Sequence, residues 1–477
     1  MTVSESVVLE YNGHQNGPLS PPLSEHNPIS IELEEAFTRP QGYRVSYHHN
    51  PQMEWHHFGR GHPMKPWRLT LTNKLVMGFG MHEAMDMYQT RQATKEELQE
   101  FHTADYIDFL SKVTPRTIDS LDQKQMLSSG ITATGDCPVF DDMFSYAAGY
   151  GGASLDAARK LVNDQADIAI NWSGGLHHAR KSSASGFCYV NDIVLAILQL
   201  LRYHPRVLYI DIDVHHGDGV EAAFWSTDRV LTLSLHRYNR EFFFPGTGAL
   251  EATGPRNAQN PGAGHSVNVP LAGGIHDTQY IRLFREVSDR VIGSYQPTAI
   301  VLQCGADSLG SDRVGEFNLN IQAHGACVAH IRRQNIPLLI LGGGGYNAKN
   351  VSRCWAYETS VCLGQPLPLD TTIPANLPLA HYYGGLMMFP DLRDSKRKNE
   401  NTEKELERLV EYITEQLRLM QGNPSVQMTE IPPDMQGMRE DVEMEIKEEM
   451  EERNQVNGND AVRCSRERGA GRGGELG

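Results

Sequence analysis

No stretch of this chain approaches the roughly 18 consecutive apolar residues that cross a bilayer. The first thirty residues (MTVSESVVLEYNGHQNGPLSPPLSEHNPIS) have neither the basic start nor the apolar centre of a secretory signal. A soluble intracellular protein without membrane contact is expected. Positive charge is short as well: 43 Lys and Arg against 59 Asp and Glu leave a formal charge of −16. Such a surface repels polyanions, which excludes direct nucleic-acid binding as a general function and makes any basic site a local one. The seven cysteines are odd in number and contain no Cys-x-x-Cys pair, against both a disulfide framework and a zinc finger. The glycine run Gly342–Gly345 lacks the following Lys-Ser or Lys-Thr of a phosphate loop and any G-x-G-x-x-G arrangement with a ribose-binding acid. Nucleotide binding is therefore set aside.

What is present divides unevenly along the 477 residues. Residues 1–41 are rich in Ser, Pro, Asn and Glu, a composition that cannot repay the entropy of ordering, so a flexible leader is expected. From 42 to 393, apolar strand-like runs alternate with helical stretches, the pattern of one large α/β domain with a mostly parallel sheet covered by helices. The remainder, 394–477, reads as a tail. Within it Leu406, Leu409, Val410, Ile413, Leu417 and Met420 recur at helical spacing and predict an amphipathic helix over 402–420. An acidic run (EDVEMEIKEEMEE) and an Arg/Gly-rich end then have the composition of solvated, disordered chain.

Chemistry concentrates after four apolar runs. Ile168–Asn171 leads into Trp172-Ser173-Gly174-Gly175-Leu176-His177-His178, and Val207–Ile210 into Asp211-Ile212-Asp213-Val214-His215-His216-Gly217-Asp218-Gly219. Ala299–Gln303 opens into Cys304-Gly305-Ala306-Asp307, and Leu338–Leu341 into the glycine run and Tyr346. Open α/β sheets place ligands outside the carboxyl ends of their strands, so these segments can converge on one crevice.

Asp213 and His215 are two apart, and in an extended segment their side chains leave on the same side, where they can share a metal. Asp307 can supply a third ligand. Two carboxylates and an imidazole suit a borderline divalent ion such as zinc, with a position left open for water and substrate. Asp211 and Asp218 can each accept a hydrogen bond from an imidazole, and His177 and His178 are the imidazoles available. Gly186-Phe187 and Phe243-Phe244 lie in turn-rich sequence, where they can wall a narrow apolar channel or fill a local core.

The segments WSGGLHHARKSSASGFCYVNDI, VLYIDIDVHHGDGVEAAF, FFFPGTG, CGADSLG and LGGGGYN, in that order, resemble those of the class I histone deacetylases, including fungal members of corepressor complexes. The resemblance covers about residues 43–392. It implies the arginase/deacetylase fold with a central parallel sheet of about eight strands. It implies one zinc ion per chain on Asp213, His215 and Asp307, His177 and His178 as the catalytic pair with carboxylate partners Asp211 and Asp218, and Tyr346 as donor to the substrate carbonyl. Gly186, Phe187 and Phe244 match the acyl-lysine tunnel, and Asp136 the rim carboxylate that holds the substrate backbone. Val314 stands at the rim where the family usually has Leu. Asp211, Asp213, His215, Ser234 and Leu235 match a monovalent cation (K+) site. His57, Gly61, Lys65 and Arg313 match an inositol phosphate pocket shared with a corepressor, with Lys349 where Arg is common, so bidentate phosphate contact is lost there.

The implied activity is hydrolysis of N6-acetyl-lysine on histone tails, in the nucleus and within corepressor assemblies, with non-histone proteins or acetylpolyamines as alternative substrates and the cytoplasm as an additional location. A binuclear manganese ureohydrolase of the same fold needs an acid two residues after the strand-end histidine, where this chain has Gly217. A silent scaffold is opposed by the intact set His177, His178, Asp213, His215, Asp307 and Tyr346. Lys396-Arg397-Lys398 is a short basic cluster that fits an import signal or an ordinary solvated surface.

Overall fold

Eight short strands carry the architecture: β1 (Val45–His49), β2 (Asp86–Gln89), β3 (Ile168–Asn171), β4 (Val207–Asp211), β5 (Val230–Arg237), β6 (Ser266–Leu271), β7 (Ala299–Gln303) and β8 (Leu338–Leu341). In a computed structural model, which describes residues 36–420 apart from 133 and 134, they form one sheet in the order β2-β1-β3-β8-β7-β4-β5-β6. Every pairing is parallel, so all strands end at the same edge. Of the expected leader 1–41, the residues up to 35 lie outside the described residues, as do the acidic and Arg/Gly-rich stretches beyond 420; its last residues are docked, with Thr38 on Gln365 and Arg39 on Asp86.

The four central strands are apolar on both sides because both sides are covered. Tyr209, Val301 and Leu339 pack with Ala157, Leu161, Ile193 and Ile197 of helices Met143–Val162 and Asp192–Leu200. Leu208, Ile210, Ile300, Leu302 and Ile340 alternate to the opposite face and are equally buried. Each large aliphatic side chain so enclosed contributes about 1.5–3 kcal/mol. Trp172, just past β3, stacks on Trp355 of helix Ala348–Cys362 with ring centroids 5.3 Å apart.

Register aligns the strand ends. Asn171 pairs with Leu341, Leu341 with Gln303, Gln303 with Asp211 and Asp211 with Ser234. This row launches the polar loops from one line across the sheet.

Helix Glu403–Leu419 starts on a Thr402/Glu405 capping box and packs on helix Asp277–Tyr295 through buried Leu406, Val410, Ile413 and Leu417. The strap before it is docked too: Arg397 donates to the Phe317 carbonyl at 2.6 Å. That arginine is therefore engaged in packing, which leaves Lys396 and Lys398 as the exposed members of the basic cluster. No helix among the described residues is long and apolar enough to cross a membrane. The six cysteines among them are free and buried.

Candidate active site

Beyond β4 the chain turns rather than continuing extended. Asp213 Oδ1 accepts the His215 backbone N–H at 3.0 Å, a side-chain-capped turn that folds the imidazole back until Nδ1 lies 3.1 Å from the same oxygen. This corrects the expectation that strand alternation pairs the two residues. Asp307 arrives from the single 3-10 turn Ala306–Ser308 after β7. Its Oδ2 is also 3.1 Å from His215 Nδ1, and its Oδ1 accepts the Val214 N–H at 2.9 Å. Asp213 Oδ2 accepts from Gly344 N at 2.8 Å and Gln303 Nε2 at 3.0 Å. One donor atom from each of Asp213, His215 and Asp307 lies within 4.8 Å of the others.

Two buried carboxylates facing one imidazole demand a cation between them. Without one, a proton serves. Burial opposes the charge on His215, but Asp213 and Asp307 outweigh it and hold the imidazole up at about 10. Burial and then Asp213 push Asp307 up to about 7. Asp213 itself falls well below the carboxylate range, since His177 and His215 overcome its desolvation. The donor set fits a divalent ion of borderline softness, displacing the proton on His215.

Beside this cluster, His177 Nδ1 meets Asp211 Oδ2 at 2.7 Å and His178 Nδ1 meets Asp218 Oδ1 at 2.8 Å. Their Nε2 atoms face each other at 2.9 Å. Asp211 is further held by the Tyr209 hydroxyl at 2.5 Å, and Asp218 by Arg180. In the metal-free chain the two imidazoles diverge. Burial would lower His177, yet Asp211 and Asp213 raise it to about 9. Burial and then the charge on His177 push His178 down to about 3.

The glycine run closes the site from β8. Gly344 lies so close that a Cβ there would overlap Asp307 Oδ2. Buried Arg68 donates to the Gly345 and Gly343 carbonyls at 2.6 Å each. Tyr346 follows, with its hydroxyl kept protonated: burial, then Asp307 and Asp213, hold its pKa well above the usual value. Gly186 and Phe187 both have positive φ, 51° and 68°, and a Cβ on Gly186 would overlap the His178 ring. Phe187 meets Tyr346 edge-on at 5.5 Å, and Phe244 meets His178 edge-on at 4.8 Å. These rings wall the polar centre rather than a separate core.

A histone deacetylase domain model matches residues 62–362. Histone deacetylase B of Dictyostelium discoideum is 48% identical over 86% of this chain and 95% of its own length. Histone deacetylase 9 of Arabidopsis thaliana is 46% identical over 82% of this chain and 89% of its own. Histone deacetylase 1 of Homo sapiens is 46% identical, with 82% and 78% covered. The chain belongs to the histone deacetylase family. It is a deacetylase hydrolase, in a family that acts on acetylated histones and depends on zinc.

The remaining residues that the deacetylase resemblance singled out are more scattered. Asp136 is exposed, and its carbonyl lies 3.1 Å from His62 Nε2, while the His62 ring sits 4.6 Å from Phe187. Val314 donates its N–H to Asp312 Oδ1 at 2.9 Å. Ser234 and Leu235 are buried on β5 beside Asp211. His57, Gly61, Arg313 and Lys349 are exposed, and Lys65 Nζ donates to the Gly59 and Arg60 carbonyls at 2.9 and 3.1 Å.

Three deacetylase site residues escaped the sequence reading, and a fourth was read only in part. Phe243, expected only as wall, stacks on the imidazole of His215 at 5.2 Å and 12°. Arg68, Gln303 and Asp312 each hold the site from a distant segment, and only Gln303, a polar residue ending an apolar strand, carried a visible signal.

Proposed function

We propose that this deacetylase hydrolyses N6-acetyl-lysine of histone tails with zinc on Asp213, His215 and Asp307, and that residues 42–393 are its catalytic unit. The convergence of that cluster with the His177–His178 pair and Tyr346 supports the reading. A divalent ion held there supplies Lewis-acid polarisation of the amide carbonyl and acidifies water.

The chain's own groups do the rest. Tyr346, kept protonated, donates to the carbonyl oxygen as negative charge grows on it. Asp218 accepts from His178 Nδ1–H, which fixes the tautomer and leaves Nε2 as the basic nitrogen. His178 takes a proton from water as the water oxygen attacks the carbonyl carbon, then gives that proton to the lysine nitrogen as the C–N bond breaks. Acetate and the free lysine result. His177, tied to Asp211, orients His178 and offsets the developing negative charge. Phe187 and Phe244 line an apolar passage that a neutral acetyl-lysine enters readily, whereas a lysine ammonium would lose its hydration without a partner. Asp136 at the rim accepts from the substrate backbone, and Gly186 and Val314 shape the passage.

Finer readings belong with this one. Asp211, Asp213, His215, Ser234 and Leu235 would hold a potassium ion. His57, Gly61, Lys65, Arg313 and Lys349 receive an inositol phosphate shared with a corepressor, and the enzyme works in the nucleus.

The deciding experiment assays purified full-length chain on acetylated histone-tail peptides and on acetylpolyamines, with metal content measured in parallel. Peptide turnover with about one zinc per chain is expected. Preferential cleavage of acetylpolyamines, or two manganese ions with ureohydrolase activity, would overturn the reading.

A further inference from the structure

Behind Asp307 the interior holds polar groups that hydrolysis does not use. The turn that presents Asp307 continues to Ser308, whose hydroxyl is hydrogen-bonded to His324 Nε2. His324 lies on helix Ile321–Arg332, and its Nδ1 is 3.1 Å from Glu358 Oε1 on helix Ala348–Cys362. All three residues are 0% exposed. Glu358 Oε2 has no hydrogen-bond partner among the described residues.

An enclosed imidazole and carboxyl cost stability, and apolar side chains of the same volume would be cheaper. The order hydroxyl, imidazole, carboxyl is that of a hydrolytic set, but complete enclosure denies it a substrate. With Cys354, the imidazole and carboxyl also lie within 4.8 Å, close enough to hold a metal. Both ring nitrogens of His324 are already engaged, so the cluster is a hydrogen-bond network.

Its geometry gives it another use. The three-residue turn Ala306–Ser308 has little internal structure, and its first residue is tied to the site by Ala306 N donating to the Gly344 carbonyl at 3.0 Å. The Asp307 carboxylate is fixed in front by Val214 N–H. Behind it, the Ser308 hydroxyl, which also lies 3.4 Å from the Gly305 carbonyl, is held by the His324 imidazole. Helix Ala348–Cys362 grips the same segment a second time, through Trp355 Nε1 donating to the Cys304 carbonyl at 2.9 Å.

We propose that Glu358 and His324 are positioning residues for the metal site, acting through Ser308 to set the pose of Asp307. The inference rests on the zinc reading above. Neither residue touches substrate or ion; each shapes how firmly the third ligand is held, as outer partners of metal ligands commonly do.

The test uses the full chain loaded with zinc and the variants Ser308→Ala, His324→Leu, Glu358→Leu and Glu358→Gln. Zinc release to an excess of chelator is followed with a metal indicator, alongside kcat, KM and the melting temperature of the metal-free protein. Ser308→Ala and Glu358→Leu should release zinc about tenfold faster, with kcat reduced and KM within about twofold of wild type. Glu358→Gln, whose amide oxygen still accepts from Nδ1–H, should stay within about threefold of the wild-type release rate. Release at the wild-type rate in Ser308→Ala and Glu358→Leu, whatever their melting temperatures, would show packing alone and overturn the inference. Should the leucine variants not fold, Ser308→Ala decides in the same two directions. A wild-type chain that binds no zinc overturns the metal reading together with this inference, whereas a loaded wild type matched by its variants overturns this inference alone.

Discussion

Asp312 Oδ2 accepts the backbone N–H of Tyr346 at 2.8 Å, so the tyrosine is located by its main chain and its hydroxyl stays available for the donor role proposed above. Asp312 Oδ1 meanwhile accepts from Val314 and Gly315 at 2.9 and 3.2 Å. One carboxylate thus ties the end of the glycine run to the loop of Val314 and Gly315. Tyr346→Phe removes only the hydroxyl, and kcat on an acetylated peptide should fall about a hundredfold or more, with stability within about 1 kcal/mol of wild type. Steady-state kinetics and chemical denaturation check both halves, and near-normal turnover would remove Tyr346 from the role of carbonyl donor.

The proton on His215 competes with the metal. Because Asp213 and Asp307 hold that imidazole at about 10 in the metal-free chain, it is protonated throughout the physiological range and must be deprotonated for an ion to bind. Acid therefore favours the proton. Apparent zinc affinity should drop about tenfold for each pH unit lowered from 8 to 7. Below that the fall should steepen, since Asp307, at about 7, begins to take up a second proton. Competition with a zinc-binding dye across pH 6–8 measures the slope, and a flat profile would contradict it.

Gly344→Ala puts a methyl group where the Asp307 carboxylate sits. Neither the carboxylate nor the backbone clamped by Arg68 can give way without distorting the ligand set. Zinc affinity should weaken about tenfold or more, with loss of deacetylation and a retained far-ultraviolet dichroism spectrum. An alanine variant that binds zinc normally would show that the run tolerates a side chain.

Helix Glu403–Leu419 should behave as part of the fold. Ile413 is fully buried in its contact face, so Ile413→Ala should cost about 2–5 kcal/mol. Thr402→Ala, which breaks the capping box, should cost about 1 kcal/mol. Denaturant midpoints measure both. Unchanged midpoints would mean that the helix is held by something other than this packing.

Much of the site was readable because a parallel sheet announces itself: a short apolar run ending in Asp, His or Gly is a strand that opens into a ligand loop. Asp211, Asp213, His215 and Asp307 follow directly from that rule. The way Asp213 meets His215 did not, since an extended segment and a capped turn both bring residues two apart together, and only backbone geometry separates them. Phe243 and Phe244 differ by one position, and which of them stacks on His215 depends on how the loop turns. Arg68 and Asp312 were hidden for another reason. Each is one polar residue without a local pattern, and its purpose exists only when a segment remote in sequence arrives beside it.

The order of the strands has a consequence for biosynthesis. Of the strands in this sheet, β7 and β8 are the last two to leave the ribosome, yet they lie in its middle, between β3 and β4. Until about Leu341 has emerged, β3 and β4 lack the strands that pair with them in the sheet, and unpaired apolar strand edges are the surfaces most prone to pair with other chains. Truncation within the last third of the domain would therefore yield aggregates rather than a soluble inactive enzyme, and production of the full chain would depend on chaperones that shield those edges during translation.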